Sequence, residues 1–321
     1  MNKTFLAFAL FLLLGGMTLF NRATRKASHV TVLIHGTKAS EIWPLFAPIL
    51  RKLEGSFFNN HKRGLAKIAP DSQKDYNYFH QTLGPLLAEA DNKHYPLKHM
   101  YVFGHAGTMD PKKRELIGYN LYHKIKKLHE EYKAKDGVAP KIIIIGHSHG
   151  GNIGLNIATG LKDDKPSFTI DRLIMLATPV QKYTKDLVTS PLFEKVYSLH
   201  SHRDIIQVVD PQGLHNYEKD KHVDKNFFSE RHFKNSPNLI QAHIRWKKAI
   251  PLTGIKDKTI AAYFTFLAGM ANLTGEQRGL IHVEFLLPPF ISRLPEVIKE
   301  LDEQEKTHGV DSDNPDIVIE L

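Results

Sequence analysis

One short segment of the chain holds residues suited to nucleophilic chemistry, Gly146-His147-Ser148-His149-Gly150. A serine hydroxyl is a weak nucleophile until a neighbouring base takes its proton and a turn presents its oxygen to a substrate. The segment has the residue types for such a turn. Glycines lie two positions to either side of Ser148, where a side chain would crowd a sharp reversal. Lys141-Ile142-Ile143-Ile144-Ile145-Gly146 precedes it and reads as a strand buried on both faces. Residues 152–161 follow as a helix, with Gly151 between. A helix N-terminus behind the serine would supply a positive field for a developing oxyanion. A glycine-x-serine-x-glycine pattern alone is weak. The strand, turn and helix in register make it specific.

With Gly151 included, this segment resembles the nucleophile elbow of lipase-like α/β hydrolases. Val32-Leu33-Ile34-His35-Gly36-Thr37 resembles the oxyanion strand and loop of the same superfamily. Leu173-Ile174-Met175-Leu176-Ala177-Thr178-Pro179 resembles the strand that follows the nucleophile helix in lipases acting on acyl esters. The resemblance spans residues 30–210 and extends more loosely to the rest. It implies hydrolysis of an ester or similar acyl bond through a Ser-His-Asp triad, with no metal and no cofactor. A small-molecule or lipid ester is the substrate class it implies. Two backbone N–H donors must face the tetrahedral oxygen. His149 would give one, and the His35-Gly36-Thr37 loop the other, with Thr37 preferred over Gly36. His35, His147 and His149 read as packing or pocket side chains and not as the base.

The superfamily's chain order is serine, acid, histidine. Asp204 follows the strand-like Lys195–His200 and precedes Ile206 and Val208, which matches the strand–acid–apolar pattern. Asp210 is second choice, because the following Pro211 suits a plain turn. His282 is the preferred base. It follows the loop-like Thr274–Gly279 and precedes the last helix, where the resemblance places the imidazole. His243 and His215 stay open as alternatives. His243 lies in a strand-like stretch, and His215 in a polar loop.

The elements that must position these residues alternate. Strands are expected at His29–Ile34, His99–Gly104, Lys141–Gly146, Arg172–Ala177, Lys195–His200 and Gln241–Trp246. Helices are expected from Pro111 to Lys135, from Asn152 to Leu161 and from Pro289 to Lys306. This alternation predicts an α/β-hydrolase fold, with a mostly parallel central sheet and helices on both faces. Residues 28–308 would form that domain, and 309–321 an acidic tail that frays. Residues 38–95 show only helix-like patches, and Gln212–Asn238 fits no element. Thr259–Met270 is apolar enough for a packed helix or part of a substrate cap.

Of the 321 residues, 42% are hydrophobic and 24% charged, so a sizeable core is expected. The formal charge of +9 resides largely in lysines such as Lys124, Lys126, Lys127, Lys133 and Lys135. Their spacing between apolar positions reads as a solvated helix face. No zinc-finger spacing, RNA-binding aromatic signature or Arg-rich helix occurs, so no nucleic-acid partner is expected. No P-loop or dinucleotide fingerprint occurs either. The absence of cysteine excludes thiol catalysis and disulfides. Lys3 and the apolar run from Phe5 to Phe20, followed by Arg22, Arg25 and Lys26, read as a signal or membrane-anchor segment over residues 1–27. That reading places the protein in the cell envelope, exported or anchored. An acyltransferase and a catalytically inactive binding protein are the alternatives on the same fold.

Overall fold

The computed structural model describes residues 27–37, 64–68, 78–161, 165–210, 228–246, 279–308 and 316–321. Among the described residues the centre is an eight-stranded sheet in the order β2-β3-β1-β4-β5-β6-β7-β8. The strands are β1 (His29–Ile34), β2 (Gly64–Lys67), β3 (Met100–Gly104), β4 (Lys141–His147), β5 (Arg172–Leu176), β6 (Val196–His200), β7 (Leu239–Arg245) and β8 (Asp316–Glu320). β2 runs antiparallel to β3, and every other pairing is parallel. The expected mostly parallel α/β-hydrolase architecture is the one observed.

The run of isoleucines in β4 shows why the sheet is covered on both sides. Ile143 and Ile145 join one apolar cluster, whereas Ile142 and Ile144 join another. Successive strand side chains point to opposite faces, so each face needs its own layer. On the first face lie helices α1 (Gly84–Ala90) and α5 (Leu294–His308), through Leu87, Val297, Ile298 and Leu301. On the second lie α2 (Pro111–Asp136) and α3 (His149–Leu155), through Leu121, Ile125, Ile153 and Leu155. A further short helix, α4 (Pro288–Ile291), precedes α5.

Local chemistry sets the ends of α2. The Asp110 side chain accepts from the N–H groups of Lys112 and Lys113, Pro111 occupies the first turn, and Gly137 closes the helix at φ 75°. Lys124, Lys127, Lys133 and Lys135 are exposed on this helix, as a solvated face requires.

Three expectations need correction. The C-terminal tail does not simply fray: residues 316–320 form β8, which pairs with β7 from Gln241↔Asp316 to Arg245↔Glu320. β2 was not foreseen among residues 38–95. It is four residues long and half-buried on an antiparallel edge. The helix expected at 152–161 begins at His149 and tightens into a 3₁₀ segment at Asn156–Gly160. Residues 1–26 and 247–278, and most of 212–238, lie outside the described residues, as do the expectations that fall on them. Among the described residues, no helix is long and apolar enough to cross a membrane.

Candidate active site

Ser148 lies between the end of β4 and the start of α3 with φ 54° and ψ −132°. A non-glycine residue in this region is strained by about 1–3 kcal/mol, and persists only where its surroundings impose it. The surroundings here are explicit. Ser148 N–H donates to Leu176 O at 2.8 Å, and Gly151 N–H donates to Ser148 O at 2.9 Å. A Cβ on Gly146 would stand 2.6 Å from Gly151 N, and one on Gly150 would strike the Ile34 and His35 carbonyls. The bend closes only with glycine at both positions.

The loop after β1 packs directly on the serine. A Cβ on Gly36 would come within 2.7 Å of Ser148 Cβ and 3.2 Å of its Oγ. His35 is fully buried beneath this loop and stacks on His105 with ring centroids 3.8 Å apart. His35 Nδ1–H donates to Gly36 O at 2.7 Å, and His105 Nε2–H donates to His35 O at 2.8 Å. The Thr37 hydroxyl donates to Thr108 O at 3.4 Å, tying the loop to the segment after β3. The loop that carries Gly36 and Thr37 is thus held against Ser148 from behind.

Asp204 and His282 are 78 positions apart in sequence and meet in space. Asp204 Oδ2 accepts from His282 Nδ1–H at 2.8 Å, and both residues are buried. Gln207 N–H donates to the other carboxylate oxygen at 3.2 Å. Because Nδ1 carries the proton toward Asp204, Nε2 is left as the proton-accepting nitrogen. His282 lies on a turn before a 3₁₀ segment at Glu284–Leu286, not in a strand. His147, the residue before Ser148, donates from Nε2 to His282 O at 2.7 Å. The elbow and the histidine turn are therefore joined directly. Burial, helped by the nearby His282, pushes the His147 imidazole well below its ordinary pKa, so it stays neutral. On the other side, Ser201 Oγ accepts from Leu280 N–H at 3.0 Å.

A second histidine–aspartate pair sits behind the elbow, which sequence reasoning missed. His149 Nε2–H donates to Asp210 Oδ1 at 3.1 Å. Asp210 Oδ2 also accepts from Gln181 Nε2 and from Ser229 Oγ, both at 2.5 Å. Gln181 Oε1 in turn accepts from Arg114 at 2.6 Å. His149 Nδ1 lies 3.2 Å from Asn152 Nδ2, an amide that also donates to Pro179 O. Burial favours the neutral imidazole, and the Arg114 charge works the same way. Burial alone would raise Asp210. The His149 interaction, the Ser229 hydroxyl and Arg114 outweigh it and hold the carboxyl far below its ordinary range. The Asp-Pro dipeptide suggested a plain turn. The only local signal was the histidine beside Ser148, whose partner lies 61 positions away. Of the alternative bases, His243 is in β7, opposite His200, and His215 lies outside the described residues.

No protein-family model matches the sequence, and no curated protein matches it. Solved structures that resemble it include a putative cell surface hydrolase from Lactobacillus plantarum. That chain is 19% identical at a TM-score of 0.32, over 56% of this chain and 70% of the other. A gene product of Listeria innocua is similar at 14% identity and a TM-score of 0.27, over 54% and 70% of the two chains.

Proposed function

We propose that the protein is a serine hydrolase that cleaves carboxylic esters, with Ser148 as nucleophile, His282 as base and Asp204 as the acid that orients it. The observation that carries this reading is the strained backbone of Ser148 beneath the Gly36 loop, joined through His147 to the turn bearing His282. In the first step Ser148 Oγ attacks the acyl carbon, and His282 Nε2 takes its proton. Asp204 holds the tautomer that leaves Nε2 ready and stabilises the imidazolium that forms. The tetrahedral oxygen is received by the backbone N–H groups of His149 and Thr37, with Gly36 as the alternative donor. The locked His149 side chain keeps that N–H aimed. His282 then returns the proton to the departing alcohol. Water attacks the acyl-enzyme by the same path in reverse.

Esters with an apolar acyl group, lipids among them, are the favoured substrates, on the lipase-like strands around residues 32–37 and 173–179. The proposed catalytic domain runs from residue 28, after an export or anchor segment that places it in the cell envelope. Purified protein lacking residues 1–27 is expected to turn over short- and medium-chain p-nitrophenyl esters. Ser148→Ala should lower that turnover by a factor of about 10³ or more. Equal turnover by a folded Ser148→Ala variant would overturn the reading. Recovery of the full-length chain wholly in a soluble cytoplasmic fraction would overturn the location.

A further inference from the structure

Beyond the serine site, four imidazoles gather at the ends of β6 and β7. His200 closes β6 and pairs in register with His243 of β7. His202 follows two residues later, its ring centroid 3.8 Å from that of His243. His232 arrives from the segment before β7, 4.7 Å from the His200 ring centroid and edge-on to it. One nitrogen from each of His200, His202 and His232 lies within 4.8 Å of the others. His200 is buried, His232 half-buried and His202 exposed, so the cluster reaches from the sheet to solvent. We propose that these three histidines form a binding site for a divalent transition cation, of which zinc is the best fit.

The chemistry of the donors selects the cation. Neutral imidazole suits zinc, copper and nickel, whereas calcium and magnesium require oxygen ligands. Three imidazole nitrogens and one solvent molecule complete a tetrahedral zinc sphere, in which nitrogens stand about 3.3 Å apart. Closing the cluster to that spacing needs side-chain rotation of the exposed His202 and the half-buried His232, with His200 fixed in the sheet.

The backbone on which His232 sits is pinned on both sides. Glu230 bridges Val180 by two backbone hydrogen bonds of 2.9 Å. Phe233 exchanges hydrogen bonds with the Gln241 side chain, at 2.7 and 3.1 Å. Arg231 donates to the carbonyls of Ser201, His202 and Asp204. That guanidinium already fastens the His232 segment to the turn carrying His202 and Asp204, and its charge is directed at those carbonyls. A bound cation would add a second clasp between the same two segments, beside the carboxylate that orients His282. The site is structural, with no step of the ester chemistry routed through it.

The test uses tag-free full-length protein stripped with chelator and titrated with zinc against a chromophoric competitor, and with cobalt for its tetrahedral absorption bands. One equivalent of each metal should bind, and zinc should raise the melting temperature by several degrees. His202→Ala and His232→Ala should each weaken binding by about tenfold or more and abolish the zinc-dependent shift, while melting near the wild type without metal. His123→Ala, at an exposed position on α2, controls for adventitious histidine binding and should bind as the wild type. Ser148→Ala should also bind metal normally, which separates this site from the hydrolase reading. Absence of binding up to about 100 μM zinc would overturn the proposal, as would equal binding by folded His202→Ala and His232→Ala variants.

Discussion

Two aspartates, six positions apart, each hold a histidine near Ser148, and the proposed function gives them different tasks. Asp204 meets His282 on a turn tied to the elbow by His147. Asp210 meets His149 inside a closed network with Gln181, Ser229 and Arg114. Asp204→Asn should lower kcat/KM for an ester by about 10³–10⁴ at nearly unchanged melting temperature, because the imidazole loses its correct tautomer. Asp210→Asn should act mainly on stability. It puts an amide where three donors converge and removes the negative charge with which Arg114 interacts, at a cost of about 2–4 kcal/mol. Urea unfolding and ester kinetics on both variants would check the division; the reverse pattern would refute it. The elbow was legible in the sequence because its demands are local: small residues at ±2, a strand before and a helix after. The Asp210 network was not, because its members come from five separate segments and only folding brings them together.

At the scale of elements, β8 is the feature composition concealed. Asp311, Asp313 and Asp316 make the tail look soluble and frayed, yet Ile317, Val318 and Ile319 are half-buried, exposed and buried in turn, the alternation of an edge strand. Ile319 points into the core and Val318 to solvent. Ile319→Ala should therefore destabilise the fold by about 2 kcal/mol or more, and Val318→Ala by less than about 0.5 kcal/mol. Similar costs from chemical denaturation would mean the strand lies in another phase. β2 was missed for a related reason: four residues on an antiparallel edge carry no periodic signal. The start of α3 was set too late because Gly150 and Gly151 have poor helix propensity. Packing of those glycines against β1 and Thr178 overrides propensity there. The central strands were legible because burial on both faces demands unbroken apolar runs, and few other structures do.

For the molecule as a whole, the buried histidines at the elbow predict the direction in which pH acts on stability. His147 and His149 both have pKa values lowered from the ordinary 6.5, so the folded chain refuses protons that the unfolded chain accepts. Stability from these groups is complete above about pH 6.5 and is lost as pH falls below it. Asp210 adds a second loss at lower pH, since its depressed pKa favours the folded chain only while the carboxylate stays ionised. The free energy of unfolding should therefore be greatest near neutrality and decline from about pH 6.5 downward. A flat profile from pH 7.5 to about 5 would show that these histidines are protonated in the folded protein.

The central claim is that Ser148 is an activated nucleophile, and a fluorophosphonate probe reads that property without knowledge of the substrate. The wild type should be labelled covalently at Ser148, and peptide mapping should place the adduct there. Folded Ser148→Ala should show no labelling, and His282→Ala should be labelled far more slowly than the wild type. Equal labelling of the wild type and Ser148→Ala, or none of the folded wild type, would contradict the account.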